Sequence, residues 1–233
     1  LQTPEKTMKA FLKQKPLRSE IDNFKKHLIL LLDKINIIEK RPTDESEEHL
    51  KNIIRDFLLD TYYKGINEVN TKGRQDLAIY NGSTNESKVG VIIEAKRPKN
   101  SAEWFKGDNA NCKAFQELIL YYLRERINQN NIDIKYLIAS NIYEWYIFDA
   151  SYFENIFAKN KALVKEFTEF ENKQKVTSNT DLFYNSIAKP FVEALKELKN
   201  MDNIIIVSAD KGGKTVIMKR NDYMKKIEEK LRC

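Results

Sequence analysis

Two acidic residues and one lysine stand where two apolar runs begin or end. Asp76 opens the short run 77–80 (LAIY), and Glu94 and Lys96 close the run 89–93 (VGVII). In an extended strand, residues two apart point to the same side. Glu94 and Lys96 therefore share a face, and Ala95 points away. If the two strands pair as a hairpin, two carboxylates and one ammonium meet at the rim of a sheet. Carboxylates with water are the ligand set that Mg²⁺ prefers. A lysine beside them can orient an attacking water or help deprotonate it, and it opposes the charge that builds on a phosphate. A buried strand running into two charges is unusual unless the charges have work to do. The competing reading is a solvated ion pair at a strand end.

The elements that must position these residues follow from hydrophobic periodicity. Residues 1–16 read as a basic helix with Thr3 as N-cap and Pro4 at its first position, broken by Pro16. A second helix carries Ile21, Phe24, Leu28, Leu31, Leu32 and Ile35 at helical spacing, with Ser19 and Asp22 resembling a capping box. After a polar break at 39–48, where Asp44 or Ser46 could cap, a third helix carries Leu50, Ile53, Ile54, Phe57, Leu58 and Tyr62. Glu47 and Glu48 lie in its first turn. There they complement the helix dipole, or one of them reaches the metal site. The two strands follow. The stretch 100–112, with Trp104 and Phe105, is either a mobile loop near the site or a surface connection anchored by its aromatics. A strong helix places Phe115, Leu118, Ile119, Tyr122, Leu123 and Ile127 in one stripe, with Gln116 off its centre. Two strands, 134–141 and 144–150, come next.

The order helix, strand, strand, helix, strand, strand predicts an α/β fold, a mixed sheet flanked by helices. Residues 151–198 read as helical, with a loop over 168–181 and Pro190 kinking or restarting the last helix. The tail changes character, reading as strand, turn at Gly212 and Gly213, strand, then a basic helix. Its ADKGGKT resembles a phosphate loop, but Ser208 stands where that motif needs glycine, so a nucleotide site is rejected.

Composition sets bounds. The 233 residues are 42% hydrophobic and 11% aromatic, enough for one sizeable core. The absence of a long uncharged apolar run argues against a membrane span. Two cysteines, Cys112 and Cys233, suit a reducing, cytoplasmic setting rather than a disulfide framework. The two histidines, His27 and His49, lack partners at zinc-ligand spacing. The net charge of +6 is uneven: from Lys199 onward there are nine basic and five acidic residues. The first 198 are nearly balanced, so any nucleic-acid contact there needs a local patch.

The pattern Asp76…Glu94-Ala95-Lys96 is that of the PD-(D/E)xK nucleases. Segments 1–16, 18–36, the helix ending FLLDTYY, TKGRQDLAIY, VGVIIEAKRP and FQELILYYLRERI resemble, in order, the N-terminal nuclease region of type IIG-like restriction–modification enzymes, which are related to type I restriction subunits. The resemblance covers residues 1–198. It implies a restriction-endonuclease-like fold: a helical part at 1–63, a catalytic core at 64–150 and a helical extension at 151–198. It also implies Mg²⁺-dependent hydrolysis of phosphodiester bonds in double-stranded DNA, with Asp76 and Glu94 holding metal and Lys96 assisting the water. Related nucleases add a helical acid, which maps to Glu48 or Glu47. They also place a glutamine before a tyrosine on the helix after the site; Gln116 matches, with Tyr121 five residues on rather than four. Cutting both strands admits a homodimer. The methyltransferase and specificity domains of such enzymes do not appear, and the chain opens on leucine, so an upstream start is expected. The tail, 199–233, resembles a segment found ahead of Penelope-like reverse transcriptases. The alternative is a catalytically silent DNA-binding or partner-docking fragment.

Overall fold

The computed structural model of this chain describes residues 17–40, 47–71, 77–106, 109–174 and 179–200, with the backbone alone at 204–208 and 215–219. The helix expected over 1–16, the caps at Asp44 and Ser46, the glycine turn of the tail and its closing helix lie outside the described residues, and so does Asp76.

One strand, β3 (Val89–Ala95), is the spine. Its neighbours are β2 (Leu77–Tyr80), antiparallel to it, and β4 (Tyr136–Ser140), parallel to it. Outside these lie β1 (Val69–Asn70) and β5 (Trp145–Asp149), each antiparallel to its neighbour, in the order β1-β2-β3-β4-β5. The fold is thus α/β with a five-stranded mixed open sheet. β1 carries no readable sequence signal, because two residues are too few for an alternating pattern.

A bulge sets the phase of β3. Tyr80 pairs with Val89 while Ile79 pairs with Val91, leaving Gly90 as the extra residue. A Cβ at Gly90 would collide with the Asn81 side chain, so a larger residue there would have to displace that side chain. The bulge turns Val89 to the same face as Ile92, while Ile93 and Ala95 go to the other. Because Glu94 and Lys96 follow Ile92 at steps of two, they take the Ile92 face.

Helices cover both faces. Helices α1 (Arg18–Lys40) and α2 (Glu47–Leu58) bury Leu31, Ile35, Leu50, Ile53 and Ile54 against Leu77, Ile79, Ile93 and Ala95. The α1 start differs from expectation. Ser19 and Asp22 do not form a capping box; Glu20 reaches back to accept from the Leu17 backbone N–H at 2.7 Å, and Asp22 lies 3.9 Å from Arg18. The helix begins at Arg18, one residue before Ser19, so Leu17 holds the cap position and Glu20 stands three residues after it.

The opposite face is packed by α3 (Lys113–Leu123), which crosses between β3 and β4, and by the C-terminal helices. These are α4 (Ala150–Phe153), α5 (Lys161–Gln174), α6 (Asp181–Phe183) and α7 (Lys189–Asn200). The loop expected over 168–181 is helical as far as Gln174. Phe167 and Phe170 are buried, and burial of that stripe overrides the polar residues between them. Wide π-helical turns follow α2, α3, α4 and α6. The last, Tyr184–Ala188, leads into α7 just before Pro190, whose missing N–H makes a regular turn there costly. The tail strands β6 (Ile204–Ser208) and β7 (Thr215–Lys219) form the expected antiparallel hairpin.

Ion pairs lock α3 to the helices beside it. Arg126, in the turn after α3, pairs with Glu154 at 2.8 Å, and the Tyr122 hydroxyl donates to the same carboxylate at 2.8 Å. Burial would raise the Glu154 pKa, but the hydrogen bonds from Arg126 and Tyr122 outweigh it and hold it below the ordinary range. A carboxyl depressed on folding adds stability above its unfolded pKa and loses it as pH falls through the folded value. Urea midpoints are therefore expected to fall between about pH 5 and pH 3. Glu154→Gln should flatten that fall, and an unchanged slope in the variant would show that other carboxylates carry it.

Candidate active site

Glu94 and Lys96 lie at the end of β3 where it runs beside β4. The Lys96 N–H donates to the Ser140 carbonyl at 2.9 Å, which carries the pairing past Ala95 and fixes the direction of the lysine. Both residues are buried, Glu94 at 0% exposure and Lys96 at 3%. The Lys96 ammonium lies 2.9 Å from Glu94 Oε1, 2.6 Å from Glu117 Oε2 and 3.4 Å from Glu103 Oε2. The lysine is not in solvent; three carboxylates surround it.

Each carboxylate comes from a different segment. Glu94 is on the strand. Glu117 is on α3, one turn in, on the face that packs against β3. Glu103 comes from the connection between β3 and α3, and its carbonyl accepts from Ala114 N–H at 3.1 Å, tying it to the start of α3. Lys113 pairs with the other oxygen of Glu103 at 2.9 Å. Aromatics anchor the described part of the connection. Trp104 is buried and donates from Nε1 to Glu144 Oε2 at 2.6 Å, and Phe105 stacks on Tyr146 with centroids 4.2 Å apart.

Burial would lower the Lys96 pKa, but the Glu94 and Glu117 charges more than reverse this and hold it far above the ordinary lysine range. Lys96 is therefore held as a cation in this arrangement, suited to orienting a water or balancing phosphate charge. Glu103 is held below the ordinary range: burial opposes ionisation there, and hydrogen bonding to Lys113 and the charge of Lys96 overcome it.

The remaining expected site residues are placed as follows. Gln116 is buried, and its amide donates to Asn111 Oδ1 at 2.9 Å. Asn111 in turn donates to the Lys189 carbonyl at 3.0 Å, so Gln116 ties the start of α3 to α7. Glu48 is on α2, on the opposite face of the sheet, with its side chain 62% exposed and 3.9 Å from Lys51. The structure does not bring it into the Lys96 cluster. The Glu47 side chain lies outside the described residues. Asp76 does too; Leu77, the next residue, pairs with Ile93, the residue before Glu94. Among the described residues no group of three or more His, Cys, Asp or Glu side chains is spaced to hold a metal ion.

Sequence reading missed Glu117, Glu103 and Lys113. Glu117 had a signal: it is the one acid inside the apolar helix KAFQELILYYL, where a charge is tolerated only with a partner. Glu103, one acid in a polar stretch, had none.

These features define an α/β protein with a buried charged cluster at the rim of a mixed sheet. Over residues 2–221 the chain matches the family described as a domain of unknown function (DUF7149), and it belongs to that family. No curated protein and no solved structure matches it. Among the described residues no helix is long and apolar enough to cross a membrane.

Proposed function

We propose that this chain is a metal-dependent endonuclease domain, restriction-endonuclease-like in fold, that hydrolyses phosphodiester bonds of duplex DNA. One observation carries the reading: Glu94 and Lys96, two residues apart, converge 2.9 Å from each other at the end of the central strand, both buried. Charges are placed inside a protein at such cost that a catalytic role is the first explanation to test.

The donor set suits Mg²⁺. Glu94 offers hard oxygens, and its carboxylate already accommodates a cationic group. Glu94 would hold the metal together with Asp76. When bound, Mg²⁺ supplies an activated water and stabilises the leaving oxygen. Lys96, kept charged by its neighbours, orients that water and offsets charge on the phosphate. Lys113, half-exposed at the start of α3, extends positive charge outward for the DNA backbone. Restriction–modification enzymes that this chain resembles carry specificity in a further domain, and cutting both strands would use a homodimer.

A second reading is a catalytically silent DNA-binding or partner-docking fragment. It is favoured by the completeness of the Lys96 ion pairs, which resemble a structural network. Incubation of supercoiled plasmid with Mg²⁺, Mn²⁺ or EDTA separates the two. Nicking with either metal and none with EDTA is expected. Salt-sensitive gel shifts without nicking under any metal would favour the silent fragment.

A further inference from the structure

We propose that Glu117 is the positioning residue for Lys96. It is a second anchor, supplied by α3, that fixes the ammonium when Glu94 turns its charge to a metal. This rests on the endonuclease reading, since it assigns a role within the same site.

The geometry separates the two carboxylates. Glu94 is on the same strand as Lys96, and an acid that binds both a lysine and a divalent cation divides its charge between them. Glu117 has no such second duty in the arrangement, and it makes the shorter contact, 2.6 Å against 2.9 Å. Glu103 cannot substitute. It is the most distant of the three at 3.4 Å, and Lys113 holds its other oxygen at 2.9 Å. Glu117 is also the best-sited anchor mechanically. It projects from a helix whose residues on both sides, Gln116 and Leu118, are themselves buried, and Gln116 is tied through Asn111 to α7. A side chain on a packed helix is held more tightly than one on a connection.

A long lysine at a strand end would otherwise have several rotamers open to it. With Glu117 present, the ammonium is fixed by a segment remote in sequence from the strand that carries it. Glu117 in this view touches neither DNA nor metal and acts through Lys96 alone.

The test is a double-mutant cycle on the full chain: parent, Lys96→Met, Glu117→Gln and both together, each unfolded in urea and each assayed on plasmid with Mg²⁺. In folding, Glu117→Gln takes one anchor from Lys96 and leaves it Glu94, Lys96→Met strands Glu94 and Glu117 together, and the double change strands Glu94 alone. The cycle is expected to show coupling of about tenfold or more in the unfolding constant. Glu117→Gln is expected to fold, since Lys96 keeps Glu94, and Glu117→Asp takes its place in the cycle if it does not; coupling below about twofold overturns the proposal. In cleavage, Glu117→Gln should lower the rate at saturating Mg²⁺ by about 10- to 100-fold, with Glu117→Asp recovering part of it. The Mg²⁺ concentration for half-maximal rate should move by less than about threefold, because a positioning residue does not bind the ion. A large rise in that concentration would make Glu117 a metal ligand and overturn the assignment. If the parent itself does not cleave, the endonuclease reading fails, while the folding cycle still decides whether Glu117 holds Lys96.

Discussion

Replacing Glu94 by glutamine is expected to leave supercoiled plasmid intact with Mg²⁺ under conditions where the parent nicks it, a loss of at least about a hundredfold. Glutamine keeps the shape and removes the charge. The side chain is wholly buried at the end of β3, where solvent screens its charge least, so the loss of that charge is felt in full. The amide cannot hold a hard divalent cation as a carboxylate does. Lys96 keeps Glu117 at 2.6 Å, so the site is not left with an unpaired ammonium. For that reason Glu94→Gln is a cleaner probe than Lys96→Ala, which would strand two buried carboxylates together and cost about 3–5 kcal/mol in folding. DNA binding should survive in the variant, and even tighten, because one negative charge near the phosphate path is gone. Gel shifts at two salt concentrations check this. Cleavage by Glu94→Gln at the parent's rate would remove Glu94 from any catalytic role.

The parts of the site that could be read from the sequence are those fixed by local periodicity. Period two in the central strand placed Glu94 and Lys96 on one face, and the apolar run before them placed both at its end. Even so, the phase depends on a bulge at Gly90 that only the pairing of Tyr80 with Val89 reveals. The acids that meet Lys96 from elsewhere were not legible. Glu117 reaches it from about twenty residues downstream, and Glu103 from a connection with no periodicity at all. Gln116 illustrates the limit from the other side. The resemblance singles it out as a site residue, and in the structure it is buried with Asn111 as its partner, a contact set by how the α3 start meets α7. Residue type and spacing reveal that a buried polar group needs a partner; tertiary packing decides which one.

The same reasoning makes the helical extension part of the site's foundation, and Phe153→Ala should show it. Phe153 is 2% exposed, and its ring meets those of Phe115 and Tyr122 on α3, Phe148 on β5 and Phe157 in the turn that follows α4. Truncation removes an aromatic from the point where helix, sheet and extension meet, and a rigid cluster of rings cannot close the hole. A loss of about 3–5 kcal/mol is expected, a large fraction of the roughly 5–15 kcal/mol that stabilises an ordinary domain. If residues 151–198 were a separate folding unit, the variant would melt in two steps, with the sheet and its Lys96 cluster surviving the first. Because α3 carries Glu117 on one side and Phe115 and Tyr122 among these rings on the other, a single transition at lower denaturant is expected instead, followed by circular dichroism and tryptophan fluorescence together. Trp104 follows Glu103, and Trp145 pairs with Ser140 beside the end of β3, so their fluorescence reports on the surroundings of the Lys96 cluster. Coincident curves would mean that the charged cluster stands only while the aromatic core behind α3 is intact.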